Sequence, residues 1–406
     1  MAEPFLQPPA GSDSSGSAGE TVRISLAVGA CWTIGLLGMY AQPQLLNPIM
    51  ADLGAAEGSV GGLYSIENTT FFVTMLLAAG PLAAMSRLRT ALFGSAFVVA
   101  GNLASAHAGS LEVLWVARAV TGVGAGLVSA AGTATAACSR EPERIFAIVT
   151  VLYNLAVAAQ YKVLPYVMPP TDPAGGYVMM AVVSLAVVPS YIWLLPPPPG
   201  AGEERANPLI LLAAAPNRLL AVLVLLGLFL YETGQSGVFT FVDVIGDRSG
   251  LGEDARGTVL SVTGFVGLLG GVFAAWLGRR AGRIWPIVIG LGLNVAAAVG
   301  LALCQNGPLY VFLNLLWTLA YTFVVPYLMG ALAALDDRGR WAVAGDSLWN
   351  GGTAPGPWIA GAMVEAGGYL PLAVWTFGVG AICMLLVTGV LRRLEAQPAP
   401  APLKTD

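Results

Sequence analysis

Histidine and lysine are almost missing from this chain. His107 is its single histidine, and Lys162 and Lys404 are its only lysines. Charged residues of every kind amount to 10%, against roughly 25% in a soluble globular domain. One histidine gives no nucleophile–histidine pair, and His107 falls at the end of a hydrophobic run. It reads as a solvated interfacial residue, with a proton relay as the alternative. Cys31, Cys138, Cys304 and Cys383 lie far apart with no CxxC pair, so they indicate neither a disulfide frame nor a metal site. No phosphate-binding glycine loop is present. A net charge of −4 gives no electrostatic footprint for nucleic acid. An enzyme is therefore not expected, nor a cofactor or a metal.

What the chain has is apolar length. Residues of the hydrophobic class make up 56% of it. They gather into about twelve runs of about 20 residues, enough for a helix to cross a bilayer core. The fold class expected is an all-α membrane protein with twelve transmembrane helices in two pseudo-symmetric six-helix halves. Residues 1–20, rich in Pro, Ser and Gly, read as a disordered cytoplasmic tail without the basic start and apolar core of a signal peptide. Residues 21–195 form the first half and residues 196–215, opening on PPPPG, a cytoplasmic linker. Residues 216–393 form the second half, and residues 394–406 a cytoplasmic tail.

Polar groups inside the apolar runs are expensive in lipid, so they mark an interior or a wet path. Arg118 lies about two turns inside the run LEVLWVARAVTGVGAGLVSAAGTATAAC, and Gly122, Gly124 and Gly126 follow as a ridge for close helix packing. Glu67, followed by Asn68, sits mid-run in the second span, residues 57–85. Glu232 lies mid-run in the seventh, within YETGQSG. Both are candidates for carrying a proton, and pairing of Glu67 with Arg118 is the plainer alternative. Gly234 and Gly237 would let the seventh helix bend as discontinuous transporter helices do.

Further candidates line up on helical faces. Tyr40, Gln44 and Asn47 share one face of the first span, residues 21–48, which Pro43 should kink. Asn154, Tyr161 and Lys162 are the polar positions of the fifth span. Gln235 follows Glu232 in the seventh. Asn314, Trp317 and Tyr321 fall at i, i+3 and i+7 of the tenth, as a cavity wall or as plain core. Asp346 and Asn350 lie in the eleventh, residues 340–365. Lys162 either snorkels to the surface or points inward as a cation for an anionic solute.

RAVTGVGAG, an arginine followed four and six residues later by glycines, resembles the fourth-helix motif of the major facilitator superfamily. A second mark is GGVFAAWLGRRAGR, similar to the family's cytoplasmic loop motif through Gly271, Gly278, Arg279, Arg280, Gly282 and Arg283. Its first-half copy, GPLAAMSRLRT, keeps Gly80 and Arg89 but carries Arg87 where a second glycine belongs. Ala84 and Ala275 replace the acidic residue in both copies. The loop reads as a conformational element. The GxxxGP pattern of family antiporters is absent from the fifth span and present in the eleventh, at Gly352, Gly356 and Pro357. LGAAEGSVGGLYS and LGEDARGTVLSVT mark an internal repeat about two hundred residues apart.

The resemblance implies a secondary transporter working by alternating access, monomeric, with a small-molecule substrate and the lipid bilayer as partners. Proton coupling is the reading that Glu67, Glu232 and Arg118 supply. An organic anion or an aromatic, amphipathic compound is the solute class read from the polar positions. Efflux of lipophilic compounds and a non-transporting sensor stay open. With both termini cytoplasmic, nearly all arginines fall inside, and only Arg248 and Arg256 fall outside. Scarce lysine with abundant Ala, Gly, Pro and Arg suggests a GC-rich bacterial genome, hence the inner membrane.

Overall fold

The structure is a computed structural model and describes residues 14–79, 85–197, 217–278, 280, 282–335 and 340–395. All regular structure among them is helical. The helices are α1 (Ser14–Leu53), α2 (Glu57–Ala79), α3 (Arg87–Ala106), α4 (Leu111–Ala137), α5 (Pro142–Val167) and α6 (Ala174–Val187), the last prolonged by a 3₁₀ turn, Val188–Trp193. After the linker region come α7 (Arg218–Arg248), α8 (Glu253–Leu277), α9 (Ile284–Ala302), α10 (Gly307–Ala333), α11 (Arg340–Gly352), α12 (Gly356–Gly367) and α13 (Tyr369–Glu395). The 196–215 linker and the 394–406 tail fall almost wholly outside the described residues, as do Gly80, Ala84 and Arg279.

Local chemistry sets the ends. Ser110 accepts a hydrogen bond from the Val113 amide at the start of α4, with Glu112 in the first turn. Asn306 does the same for the Leu309 amide, with Pro308 in the first turn of α10. Gly278 closes α8 at φ +49°, a conformation that favours glycine.

Among the described residues, nine helices are long and apolar enough to cross a membrane: α1, α4, α5, α6 with its 3₁₀ extension, α7, α8, α9, α10 and α13. Large apolar side chains such as Leu385, Ile192 and Leu77 are outward and exposed, as a lipid-facing surface requires. Of the remaining helices, α2 and α3 carry more polar residues, and α11 and α12 are each short.

Three sequence expectations change. The eleventh span is not one helix: it breaks at residues 353–355 into α11 and α12, where Pro355 lacks an amide hydrogen. No discontinuity appears at Gly234 and Gly237, since α7 is one unbroken helix of 31 residues. Those glycines instead sit against Val379 of α13 and Ala360 of α12. Finally, α1 starts at Ser14, inside the stretch read as a tail, and runs through Pro43 and Pro48 to Leu53.

The glycine ridge of α4 behaves as read. A methyl group on Gly124 would lie 2.8 Å from Cβ of Phe97 on α3, so the α3–α4 contact needs glycine there. Two apolar clusters stay within residues 27–194 and within residues 221–391. The largest cluster joins the two regions, bringing Leu45, Ile49, Val60 and Tyr161 together with Phe241, Ile245, Val364 and Leu372. These side chains lie toward the end formed by the turns at residues 54–56, 168–173 and 249–252, called distal below. The opposite, proximal end carries residues 138–141 and 278–283.

Candidate functional site

A cavity of about 570 Å³ lies between α1, α5, α7, α8 and α10. Its wall runs from Tyr161 and Leu260 on the distal side to Ala147 and Val272 on the proximal side. At its distal edge and beyond, the two groups of helices are bonded together. Ser261 Oγ donates to the Ala158 carbonyl at 2.7 Å, and the Trp358 amide donates to Ser65 Oγ at 2.9 Å. The Gly58 amide donates to Glu365 Oε2 at 3.1 Å.

α7 and α10 supply the polar wall. Glu232 is buried, and its two carboxylate oxygens each lie 3.1 Å from the Tyr321 hydroxyl that donates to them. Among the described residues no lysine or arginine pairs with it. One turn on, Gln235 accepts at Oε1 from the Trp317 indole N–H at 2.6 Å. The indole can only donate, so the orientation of the amide is fixed and its Nε2 is left without a partner. Asn314, 1% exposed, has both amide atoms unpartnered. The i, i+3, i+7 face of α10 is therefore a cavity wall, with all three of its residues in the lining.

Six aromatic residues line the cavity, Tyr40, Tyr153, Tyr161, Phe239, Trp317 and Tyr321, and α8 adds a face of aliphatic, glycine and threonine residues. Tyr40 lies between Tyr153, at 6.3 Å, and Phe239, edge-on at 6.0 Å. Tyr321 continues to Tyr231 at 6.4 Å and Trp349 at 5.6 Å. Tyr40, Asn154, Tyr161, Glu232, Gln235, Asn314, Trp317 and Tyr321 thus come together from four helices. Among the described residues, no lysine, arginine or histidine is in the lining.

Other candidates stand elsewhere. Arg118 and Glu67 form a buried bidentate pair away from the cavity wall: Nη2 to Oε1 is 2.6 Å and Nε to Oε2 is 3.2 Å. Arg118 also donates to Asn102 at 2.9 Å and lies 5.2 Å from the Tyr177 ring centre. The plainer reading of Glu67, as a partner of Arg118, is what the geometry presents. Lys162 does not point inward. It is 43% exposed and donates to Asp254 at 2.5 Å and Thr258 at 2.9 Å, across α5 and α8. Tyr166 donates to the same Asp254 oxygen at 2.7 Å. Gln44 faces a different pocket, and Asn350 is outside the lining, half-buried in α11. Asp346 has no described side chain.

Asn68 is also outside the lining and is structural. It accepts from Gln42 at 2.9 Å and donates to the Thr353 carbonyl at 3.3 Å, in the break between α11 and α12. Ser236 donates to the same carbonyl at 2.9 Å, and Thr233 to the Gly352 carbonyl at 3.2 Å. The freed backbone of the break is thus satisfied by side chains of α2 and α7, as unwound segments at membrane depth require. Gln42 and Thr353 line the cavity and were missed in the sequence, as were Tyr153 and Phe239. Gln42 carried a signal, lying between Tyr40 and Gln44 on a span with too many polar residues.

Of the loop motif, Gly271 belongs to α8 and lines the cavity. The Gly278 carbonyl accepts from the Tyr327 hydroxyl at 2.9 Å. Arg280 caps its own helix at the Trp276 carbonyl, 3.2 Å away, and Arg283 is half-buried before α9.

Comparison with solved structures finds 311 similar chains. The nucleoside transporter NupG, solved as a point mutant, superposes with a TM-score of 0.73 over 92% of this chain and 99% of its own, at 13% identity. A bacterial homologue of the human lysosomal transporter Spinster, solved inward-facing and unoccupied, gives 0.71 over 96% and 100% at 14% identity. A mutant of the peptide transporter POT gives 0.70 over 95% and 99%, also at 14%. These likenesses show the fold alone. Among curated proteins no sequence matches. The family model for the Major Facilitator Superfamily matches residues 27–340, so the chain belongs to that family and is a multi-pass membrane transporter of the secondary type, not an enzyme.

Proposed function

We propose that this transporter moves a small aromatic solute, neutral or cationic, by alternating access coupled to protons at Glu232. The observation that carries the reading is Glu232 itself. It is a buried carboxyl group on the wall of a 570 Å³ cavity, with a tyrosine hydroxyl as its donor and no cation beside it. Intramembrane carboxyl groups of this kind serve proton relays. A solute enters a wall of aromatic rings, and unpartnered amides of Gln235 and Asn314 offer it hydrogen bonds. The absence of a basic side chain from the lining counts against an organic anion, and Arg118 and Lys162 are already paired.

The chain spans the membrane twelve times in two six-helix halves, residues 21–195 and 216–393, with α11 and α12 as one broken span. Both termini are cytoplasmic, in a bacterial inner membrane, and the protein works as a monomer. The distal end is then the outside. The cross-links there and the cavity's proximal extension support an inward-open state. Rocking of the halves breaks the distal contacts and exposes Glu232 to the other side.

Efflux of lipophilic cations is the second reading, favoured by the single uncompensated carboxylate among aromatic rings. Proteoliposomes with an imposed pH gradient test both. Wild-type protein should drive an aromatic amine against its gradient, and Glu232→Gln should lose accumulation while keeping exchange. Accumulation that survives Glu232→Gln removes Glu232 from the coupling mechanism. Flux insensitive to pH removes proton coupling altogether.

A further inference from the structure

A second pocket, of about 310 Å³, lies at the distal end and is distinct from the central cavity. Asp243 and Asp247 of α7 and Glu253 and Arg256 of α8 line it, with Gln44 of α1. The charges do not balance. Arg256 is held through Nε and Nη1: Nε donates to Asp243 at 3.1 Å, and Nη1 donates to Asp247 at 2.6 Å and to the Leu251 carbonyl at 2.9 Å. Glu253 has no ion pair among the described residues, so the pocket holds negative charge in excess. Of the other cations at this end, Lys162 is taken by Asp254 and Arg248 lies over the Tyr369 ring at 3.9 Å.

An independent observation comes from Gln44, which is 6% exposed. Its Nε2 donates to the Tyr161 carbonyl at 3.0 Å. A carbonyl can only accept, so the amide cannot be turned round, and Oε1 is the free atom. That oxygen has no partner. A buried acceptor facing a pocket of excess negative charge asks for a ligand that donates and carries positive charge.

Size and occupancy narrow the class. The pocket is about ten times the roughly 30 Å³ share of one water molecule. Calcium gathers six to eight oxygens at about 2.3–2.6 Å, which a site already holding a guanidinium on two of its carboxylates does not offer. We propose that this pocket binds an organic ammonium group. It is a second station, on the outer side, for a cationic solute.

The partition between the two cavities supports the placement. Gln44 holds the backbone of Tyr161, whose ring lines the central cavity. The α8 backbone closes onto the same spot: a methyl group on Gly257 would lie 2.7 Å from the Tyr161 carbonyl and 3.4 Å from Gln44 Nε2. When α8 separates from α5, the pocket and the cavity become continuous.

This inference goes beyond the proton-coupling reading, and its test needs no flux. Full-length protein carrying Glu232→Gln is placed in nanodiscs, so that the central carboxylate is gone. Its melting temperature is followed with methylammonium chloride, whose ammonium group has N–H donors, against sodium chloride at equal ionic strength. The expected result is a saturable rise with methylammonium. Glu253→Gln should weaken it by about tenfold or more, the scale of one charged hydrogen-bonding partner, and Glu253→Lys should abolish it. Glu253 is half-exposed at the first residue of α8, and the ligand-free melting temperature of each variant confirms that it folds. No saturable rise, or a rise that both variants keep, overturns the site. A rise with calcium chloride alone overturns the ammonium assignment.

Discussion

Arg118 holds Glu67 by both carboxylate oxygens, at 2.6 Å and 3.2 Å, in a place where neither side chain reaches solvent. Removing one partner of a buried pair strands the other, at a cost of about 3–5 kcal/mol, whereas replacing both by apolar groups is often nearly neutral. Arg118→Met should therefore destabilise the protein by that order in a reversible mixed-micelle unfolding titration. Glu67→Leu together with Arg118→Met should recover at least half of the loss, the remainder reflecting Asn102 left without its donor. Additive losses in the double variant would show that the pair does not act as a unit. Transport should stay proton-driven in any folded variant of the pair, in contrast to Glu232→Gln.

Gln235 and Trp317 fix each other across α7 and α10, at 2.6 Å. Gln235→Leu leaves the indole N–H buried and unpartnered, which costs about 1–3 kcal/mol. It also removes the free Nε2 from the cavity. Trp317→Phe leaves Gln235 with two free atoms and less ring surface. Both should raise the substrate KM more than they lower kcat, by roughly tenfold for one lost buried hydrogen bond. Unchanged KM values in both variants would place the solute elsewhere.

Lys162 and Asp254 are the opposite case. Their contact is short, at 2.5 Å, but the side chains are 43% and 64% exposed. Solvent screens such pairs, and many contribute nothing measurable. Lys162→Gln should leave the melting temperature within about 2 °C of wild type and the substrate KM within about twofold. A large KM increase would restore Lys162 as a solute contact and reopen the organic anion.

How much of this was legible follows from the kind of signal each feature leaves. The α10 wall was legible because Asn314, Trp317 and Tyr321 repeat at helical spacing, and one rotation of the helix places all three in the cavity. Glu67 and Arg118 were legible as buried charges. Their mutual pairing was one of two readings, and the α2–α4 packing, a contact between residues 51 apart, decides for it. Lys162 misled in one of its readings because rarity in composition says nothing about direction. Its helix turns it toward α8, where Asp254 and Thr258 receive it. The broken helix was sought in α7, at Gly234 and Gly237. Those glycines serve close packing, and the break formed around Pro355 and Pro357, which lack amide hydrogens; Asn68 and Ser236 take up the Thr353 carbonyl, four residues before Pro357. Glycine admits either outcome, and only the neighbouring helices decide between them.

The distal closure depends on α2 and α12 meeting without side chains between them. A methyl group on Gly361 would collide with the Glu57 carbonyl and lie 3.0 Å from Cα of Gly58, both backbone atoms that cannot turn aside. Overpacking of this kind costs about 1–3 kcal/mol, enough to move a two-state ratio roughly tenfold. In the closed-distal state that cost falls on the contact itself. Once the ends separate, it is relieved. Gly361→Val should therefore favour the distal-open state and slow transport by about tenfold. Spin labels at Asp52→Cys and Ala366→Cys, in a Cys138→Ser background, read the distal distance, since Cys31, Cys304 and Cys383 are buried. The distribution should move to longer values in Gly361→Val. Gly378→Val, whose added atoms meet open space on α13, should leave it unchanged. If both variants give the wild-type distribution, the α2–α12 contact does not control the closed end. If both lengthen it, the effect is general loosening and not relief of this contact.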